Sequence, residues 1–184
     1  MAGSNEVLLV RHGETDDNAA ERFQGRIDTP LNDRGREQSR ALAETLAGEG
    51  LRALYTSPLA RARETAEIVG ALLGLEPVCD PRLMEADAGS WAGRLIADIV
   101  ADNADAYGAW RARAPGFRFP AGESIEEQGA RVAAALLDVA AGPLPALVVT
   151  HGGTIRAVDG IDAPGGAVAN CALFRVPAPV PAQS

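Results

Sequence analysis

Lysine is absent from this chain of 184 residues, so all 17 of its basic side chains are arginine. That absence removes Schiff-base chemistry, a phosphate-loop lysine and Ser–Lys catalysis together. Cysteine is scarce. Cys79 and Cys171 make no disulfide framework and lack the paired spacing of a zinc site, so they read as small core residues. Basic charge is in the minority: the formal net charge is −8, which disfavours broad electrostatic binding to nucleic acid or to an anionic membrane. An acidic protein can still keep a small cationic pocket. No apolar run approaches the roughly 20 residues of a membrane helix. Val7–Val10 is too short for the apolar core of a signal peptide and no basic segment precedes it, so the expected location is the cytoplasm. There is no Gly-x-Ser-x-Gly elbow for a Ser–His–Asp hydrolase.

What remains is an ordinary globular composition at the common size of one domain, with 47% apolar residues and scattered glycine and proline. Short apolar runs at Val7–Val10, Leu54–Thr56, Pro77–Cys79, Ala146–Thr150 and Cys171–Val176 predict strands. Between them, Asn32 or Asp33 can cap a helix over about Arg34–Ala47, with Gly48 and Gly50 to stop it. A second helix is predicted over about Leu59–Leu73, ended by Gly74, and a long one follows Gly122-Glu123-Ser124 to about Ala141. Residues 94–119 predict two short helices and an irregular stretch around Pro115-Gly116. The Pro-rich tail from Pro177 and the first five residues are expected to fray. Strands alternating with helices predict one α/β domain, a three-layer sandwich with a largely parallel central sheet flanked by helices.

The chain has only two histidines, His12 and His151, and each follows an apolar strand and precedes a glycine. Ligands of parallel sheets bind at the C-terminal ends of strands, so both histidines can share one pocket there. One His-Gly pair alone reads better as a structural histidine; two in the same context point to a site.

At these residues the sequence resembles the histidine phosphatase superfamily, also called the phosphoglycerate-mutase-like family. The resemblance rests on Arg11-His12-Gly13-Glu14-Thr15 and continues in order along nearly the whole chain. It runs through Asn18, Arg22-Phe23-Gln24-Gly25, Asp28-Thr29-Pro30-Leu31, Gly35 and the block from Ser57 to Ala66. Leu83-Met84-Glu85, Gly89-Ser90-Trp91-Ala92-Gly93, Gly122-Glu123-Ser124, Arg131 and the block from His151 to Arg156 complete it. It implies that Asn18 and Arg61 contact phosphate, that Gln24, Gly25 and Gly152 line the substrate site, and that the block containing Glu85 carries the proton donor. Two positions depart from the family pattern. Ala92 stands where glutamate is frequent, and the segment after Arg156 is short and Gly/Pro-rich where a longer helix is common.

Chemistry gives these residues a division of labour. Phosphoryl transfer needs charge stabilisation more than covalent machinery, and Arg11 and Arg61 are permanently charged bidentate donors that suit phosphate. His12 must attack through an unprotonated ring nitrogen. Nearby arginines lower its pKa, and a backbone carbonyl around Gly13 is expected to fix its tautomer. Asn18 and His151 can donate further hydrogen bonds, and Gly13 and Gly152 allow close backbone approach. Glu85 can protonate the leaving oxygen and then activate water. Glu14 is expected to orient the arginines. Arg22, Arg63 and Arg156 either support the pocket or face solvent, and the acids from 123 to 127 suit the first turn of a helix. The scheme needs no metal and no cofactor.

The expected function is therefore a phosphomonoester hydrolase working through phosphohistidine on a small phosphorylated metabolite. A mutase that returns the phosphoryl group to a sugar-acid is the alternative, but the stretch between Glu85 and His151 is compact, as in the small phosphatase branch. A non-catalytic phospholigand-binding protein is a further alternative, although every core position is kept. Homodimers are common in the family, and the sequence marks no interface. Trp91, Tyr107, Trp110, Phe117 and Phe119 are more than half of all the aromatics, interleaved with Arg94, Arg111, Arg113 and Arg118. They are expected to anchor the two short helices to the sheet; a lid over the substrate is the alternative.

Overall fold

Successive side chains of an extended segment point to opposite faces, so an uninterrupted apolar strand has to be covered on both sides. A computed structural model, which describes residues 5–158, 161 and 167–180, achieves this with helices on both faces of one five-stranded sheet. The strands are β1 (Glu6–Arg11), β2 (Ala53–Thr56), β3 (Pro77–Cys79), β4 (Ala146–Thr150) and β5 (Leu173–Pro177), in the order β3-β2-β4-β1-β5. The first four are parallel and β5 lies antiparallel to β1. The largely parallel α/β sandwich expected from the alternating pattern is therefore the fold.

The helices are α1 (Asp16–Ala19), α2 (Asp33–Leu46), α3 (Ala60–Leu73), α4 (Ile96–Asp102), α5 (Ala104–Arg111), α6 (Ile125–Ala140) and α7 (Gly152–Ile155). Leu8, Val10, Leu147 and Val149 pack on Leu42 and Leu46 of α2 and on Ala62, Ala66 and Val69 of α3. Val7, Leu9, Ala146 and Val148 point the other way, onto Val132, Leu136 and Val139 of α6. All five residues of β4 are buried, as its central place demands.

Asn32 caps α2 by accepting from the Gly35 N–H at 2.8 Å, and Gly74 closes α3 in the left-handed conformation (φ 71°). Ser124 and Glu127 form a reciprocal capping box that starts α6. Helices α1 and α7 were not expected, because four residues carry no readable periodicity. Among the described residues no helix is long and apolar enough to cross a membrane.

Several expectations need correction. Cys79 is exposed on the edge strand β3 and fills no core position, whereas Cys171, half-buried with φ 56°, packs against the core cluster of the sheet with α2 and α3. The last strand begins at Leu173 and runs through Pro177. The Ala178 N–H then donates to the Asn5 carbonyl at 2.9 Å, so the chain does not fray at these points. The last four residues of the Pro-rich tail, and most of the Gly/Pro-rich stretch after Arg156, lie outside the described residues. The aromatics of residues 91–119 do not anchor α4 and α5 to the sheet. Trp91, Ile99 and Phe119 are the buried centre of a separate cluster with Phe23, Ala86 and Ala88, and Tyr107, Trp110 and Phe117 pack around it.

Candidate active site

The register of the sheet pairs Arg11 of β1 with Thr150 of β4. The next residue on each strand is a histidine, so parallel pairing alone brings His12 and His151 together, with ring centroids 5.2 Å apart. β2, on the other side of β4, delivers Ser57 and then the first turn of α3, where Arg61 is buried beside them. The three loops open into a cleft of about 220 Å³ at the C-terminal edge of the parallel strands.

His12 forms the floor. Its Nδ1 meets the Gly13 carbonyl at 2.7 Å, the carbonyl anticipated from the sequence, and its Nε2 receives the Arg61 Nε–H at 3.2 Å. A carbonyl can only accept and a guanidinium can only donate, so Nδ1 carries the proton and Nε2 presents its lone pair. Burial, followed by the charges of Arg11 and Arg61, holds His12 well below the usual histidine range, against the opposing pull of the Gly13 carbonyl.

Arg61 also donates to the carbonyls of Ile27 (2.7 Å) and Gly25 (2.8 Å), so the protein consumes three of its five N–H groups. Burial pushes it down to about 10, against the attraction of Glu85, so it stays cationic near neutral pH. Gly25 can hold its carbonyl there because it adopts φ 53° against Ala88.

His151 is fully buried, and burial first, then Arg61, His12 and Arg11, lower its pKa well below the usual range. Its Nε2 lies 2.8 Å from the Ser57 hydroxyl, and its Nδ1 has no partner within the protein. Buried side-chain nitrogen and oxygen atoms lacking a protein partner number three among the described residues: His151 Nδ1, Arg11 Nε and Gln24 Oε1. All three belong to residues singled out for this site, and an unpaired buried group calls for an outside partner, ligand or water.

Glu85 faces them from the loop after β3. Its Oε2 accepts from the Gly153 N–H at 2.9 Å, and its Oε1 from the Ala86 N–H at 2.9 Å and the Gln128 amide at 3.1 Å. Asn18 lines the cleft. Its Oδ1 is taken by the Thr15 N–H and the Asn170 amide, which leaves the amide nitrogen for a ligand. Gln24, Gly25 and Gly152 also line it, with Arg11, His12 and Arg61, whereas His151, fully buried and in ring contact with His12, does not itself line the cleft.

Some supporting roles differ from expectation. Glu14 does not orient the arginines of the cleft; it accepts from Asn32 at 3.1 Å and pairs with Arg34 at 3.5 Å, at the start of α2. Gly13 is required by packing rather than by substrate, because a Cβ there would lie 2.4 Å from the Gly35 carbonyl oxygen. Glu123 pairs with Arg131 (2.6 Å) and Arg26 (3.4 Å) instead of serving the helix dipole. Arg131 in turn donates to the carbonyls of Arg82, Met84 and Glu85, which fixes the loop bearing Glu85. Arg22 and Arg156 line the cleft, whereas Arg63 is exposed and pairs with Glu67.

Sequence reasoning missed Gln128 and Asn170, and it singled out Asp28 without its role as a cap. Asn170 donates to the His12 carbonyl at 3.0 Å, and Asp28 accepts the Ala60 N–H at 2.6 Å, capping α3 where Leu59 cannot. A cap supplied from 32 residues upstream leaves no local signal in the sequence.

The far wall of the cleft is aromatic and basic: Phe23, Tyr107, Trp110, Arg111 and Arg156, with Arg22 at the rim. The Arg156 guanidinium lies 5.2 Å above the Trp110 ring. Among the described residues none of Arg11, Arg22, Arg61, Arg111 and Arg156 forms an ion pair with a carboxylate.

Comparison with known proteins places this geometry. The profile of the histidine phosphatase superfamily (branch 1) matches residues 7–160. A protein of Photorhabdus laumondii described as "Probable phosphoglycerate mutase GpmB" is 36% identical over 93% of this chain and 84% of its own length. Its namesake from Serratia proteamaculans is 40% identical over 80% of this chain and 69% of its own. Among solved structures, a mycobacterial glucosyl-3-phosphoglycerate phosphatase in complex with VO3 superimposes with a TM-score of 0.83 at 32% identity, covering 94% of this chain and 90% of that one. Bacillus stearothermophilus YhfR gives 0.76 at 32% identity, covering 83% and 77%.

Proposed function

The chain belongs to the histidine phosphatase superfamily (branch 1), and from that premise we propose that it is a phosphomonoester hydrolase working through phosphohistidine. The observation that carries this reading is His12. It is buried, held neutral and locked in one tautomer by Gly13, with its Nε2 lone pair accepting from Arg61, whose Nε–H turns to the phosphate oxygens as Nε2 attacks. In the first step Nε2 attacks phosphorus while Glu85 gives its proton to the departing ester oxygen. Arg11, Arg61, Asn18 and His151 stabilise the charge on the transferred oxygens. In the second step Glu85 takes a proton from water as the water oxygen bonds to phosphorus and the N–P bond breaks. The aromatic and arginine-rich wall supports a small metabolite whose body is itself anionic.

Hydrolysis is preferred to phosphoryl return because the chain between Glu85 and His151 is compact, without a long segment to cover the cleft. The names of the mutase relatives favour the second reading. One set of assays separates the two. Native protein is expected to release p-nitrophenol from p-nitrophenyl phosphate with or without EDTA, and His12→Ala to lose at least about 10³-fold. Activity surviving in His12→Ala would remove the nucleophile from this reading. Interconversion of phosphoglycerate isomers faster than phosphate release would favour the mutase.

A further inference from the structure

Gln128 stands in the first turns of α6, four residues after the Ser124 cap, and is 2% exposed. Its Nε2–H donates to Glu85 Oε1 at 3.1 Å. The other groups holding that carboxylate are backbone N–H groups of Ala86 and Gly153, both at 2.9 Å. A backbone N–H can only donate. It suits the ionised carboxylate and offers nothing to the O–H of the protonated one. The charged groups around Glu85 have the same one-sidedness. Arg11 of β1, Arg61 of α3 and Arg156 after α7 act on it through space. Arg131 of α6 and Arg26 donate to its backbone carbonyl, and Glu123 is tied up between those two arginines.

A group that first gives a proton and then takes one must be held in both forms. Among these neighbours only the Gln128 carboxamide can do that. It donates through Nε2, accepts through Oε1, and exchanges the two by a half-turn of its terminal torsion, which is soft. We propose that Gln128 is a positioning residue that holds the Glu85 carboxyl in both protonation states, so that Glu85 alternates between proton donor and proton acceptor without leaving its seat. This rests on the reading of Glu85 as the proton-transfer group.

The atoms balance over the two steps. The Nε2 lone pair forms the N–P bond, the P–O bond pair leaves with the ester oxygen, and the Glu85 proton completes the alcohol while Nδ1 keeps its own. Water then supplies the oxygen to phosphorus and a proton to Glu85, the N–P pair returns to Nε2, and inorganic phosphate departs.

The test compares kcat/KM for p-nitrophenyl phosphate, whose leaving group needs little protonation, with that for glycerol phosphate, whose leaving group needs it. The full chain is used as native, Glu85→Gln, Gln128→Met and Gln128→Glu. The ratio of the two substrates on one sample does not depend on how much of that sample is folded. Gln128→Met, close to glutamine in shape, is expected to lose at least about tenfold more on glycerol phosphate than on the aryl ester. Gln128→Glu, which can donate or accept once the pair shares a proton, is expected to recover the native ratio within about threefold. It should also move the alkaline limb for glycerol phosphate upward by about one pH unit. Equal losses on both esters in Gln128→Met, or an unmoved limb in Gln128→Glu, would overturn the assignment. The Glu85→Gln control keeps the two readings apart. A ratio unchanged there overturns the proton-transfer role of Glu85, and the premise with it. A changed ratio there without one in Gln128→Met overturns only the role of Gln128.

Discussion

Gly153 carries the tightest steric constraint on the proposed chemistry. Its N–H donates to Glu85 Oε2, and a Cβ built on it would lie 2.4 Å from Glu85 Oε1. No rotamer of alanine relieves that contact, because a Cβ has no torsion to turn. Gly153→Ala is therefore expected to push the carboxylate out of its seat and to lower glycerol phosphate turnover about 10²-fold. The neighbouring Gly152 would meet nothing nearer than 3.7 Å, so Gly152→Ala is expected to lose less. Steady-state rates of the two variants decide it, and a larger loss at Gly152 would contradict the seat described for Glu85.

At the scale of elements, α4 and α5 have no sheet to rest on and depend on the aromatic cluster for their place. Trp91 is its hub, touching Phe23, Tyr107, Trp110, Phe117 and Phe119. Trp91→Ala should cost about 3–5 kcal/mol, as other buried aromatic truncations do. Trp110 has two exposures, one face in the cluster and one beneath Arg156 on the cleft. Trp110→Ala is expected to lower stability by a smaller amount and to raise KM several-fold for anionic substrates. Urea unfolding and kinetics on the same preparations separate the effects. A Trp110 variant with native KM would make the ring purely structural. Phe23, Tyr107 and Trp110 belong both to the cluster and to the cleft wall, so seating α4 and α5 on the cluster does not exclude a place over the substrate. The alternation of aromatics and arginines in residues 91–119 was legible. That they pack on Phe23, Ala86 and Ala88 was not, because those partners come from other loops.

For the whole molecule, two buried neutral histidines make folding depend on pH. An unfolded histidine titrates near 6.5, and both folded ones are held well below that by burial and arginine charge. Between those values the unfolded chain binds more protons, so stability falls as pH falls; above about 6.5 neither state is protonated and the slope vanishes. Lowering the pH from 7.5 to 5.5 should cost about 3 kcal/mol, roughly 1.4 kcal/mol from each histidine. Asp80, held low chiefly by its hydrogen bond from Arg82, gives up its contribution only below the ordinary carboxylate range and does not enter this window. Urea denaturation at the two pH values measures the change, and His151→Asn should remove about half of it. Equal stabilities at both pH values would mean that the histidines are not neutral and buried together.

The sequence by itself determined the five strands and the long helices, and it marked the residues proposed to carry the chemistry. Five apolar runs and three long helices carry their own period, α2 and α6 their own caps and α3 its own glycine stop, and His12, Glu85, Arg11, Arg61 and His151 stand in motifs read along the chain. What only the tertiary structure decided is which donors and acceptors meet. The Arg11–Thr150 register sets His12 against His151, Asp28 caps a helix far along the chain, Asn170 holds His12, and Gln128 reaches Glu85 from α6. Periodicity and capping act between residues a few positions apart, so they leave a local trace. A buried hydrogen bond between distant segments is dictated by desolvation after the sheet has formed, and no neighbouring residue in the sequence has to record it.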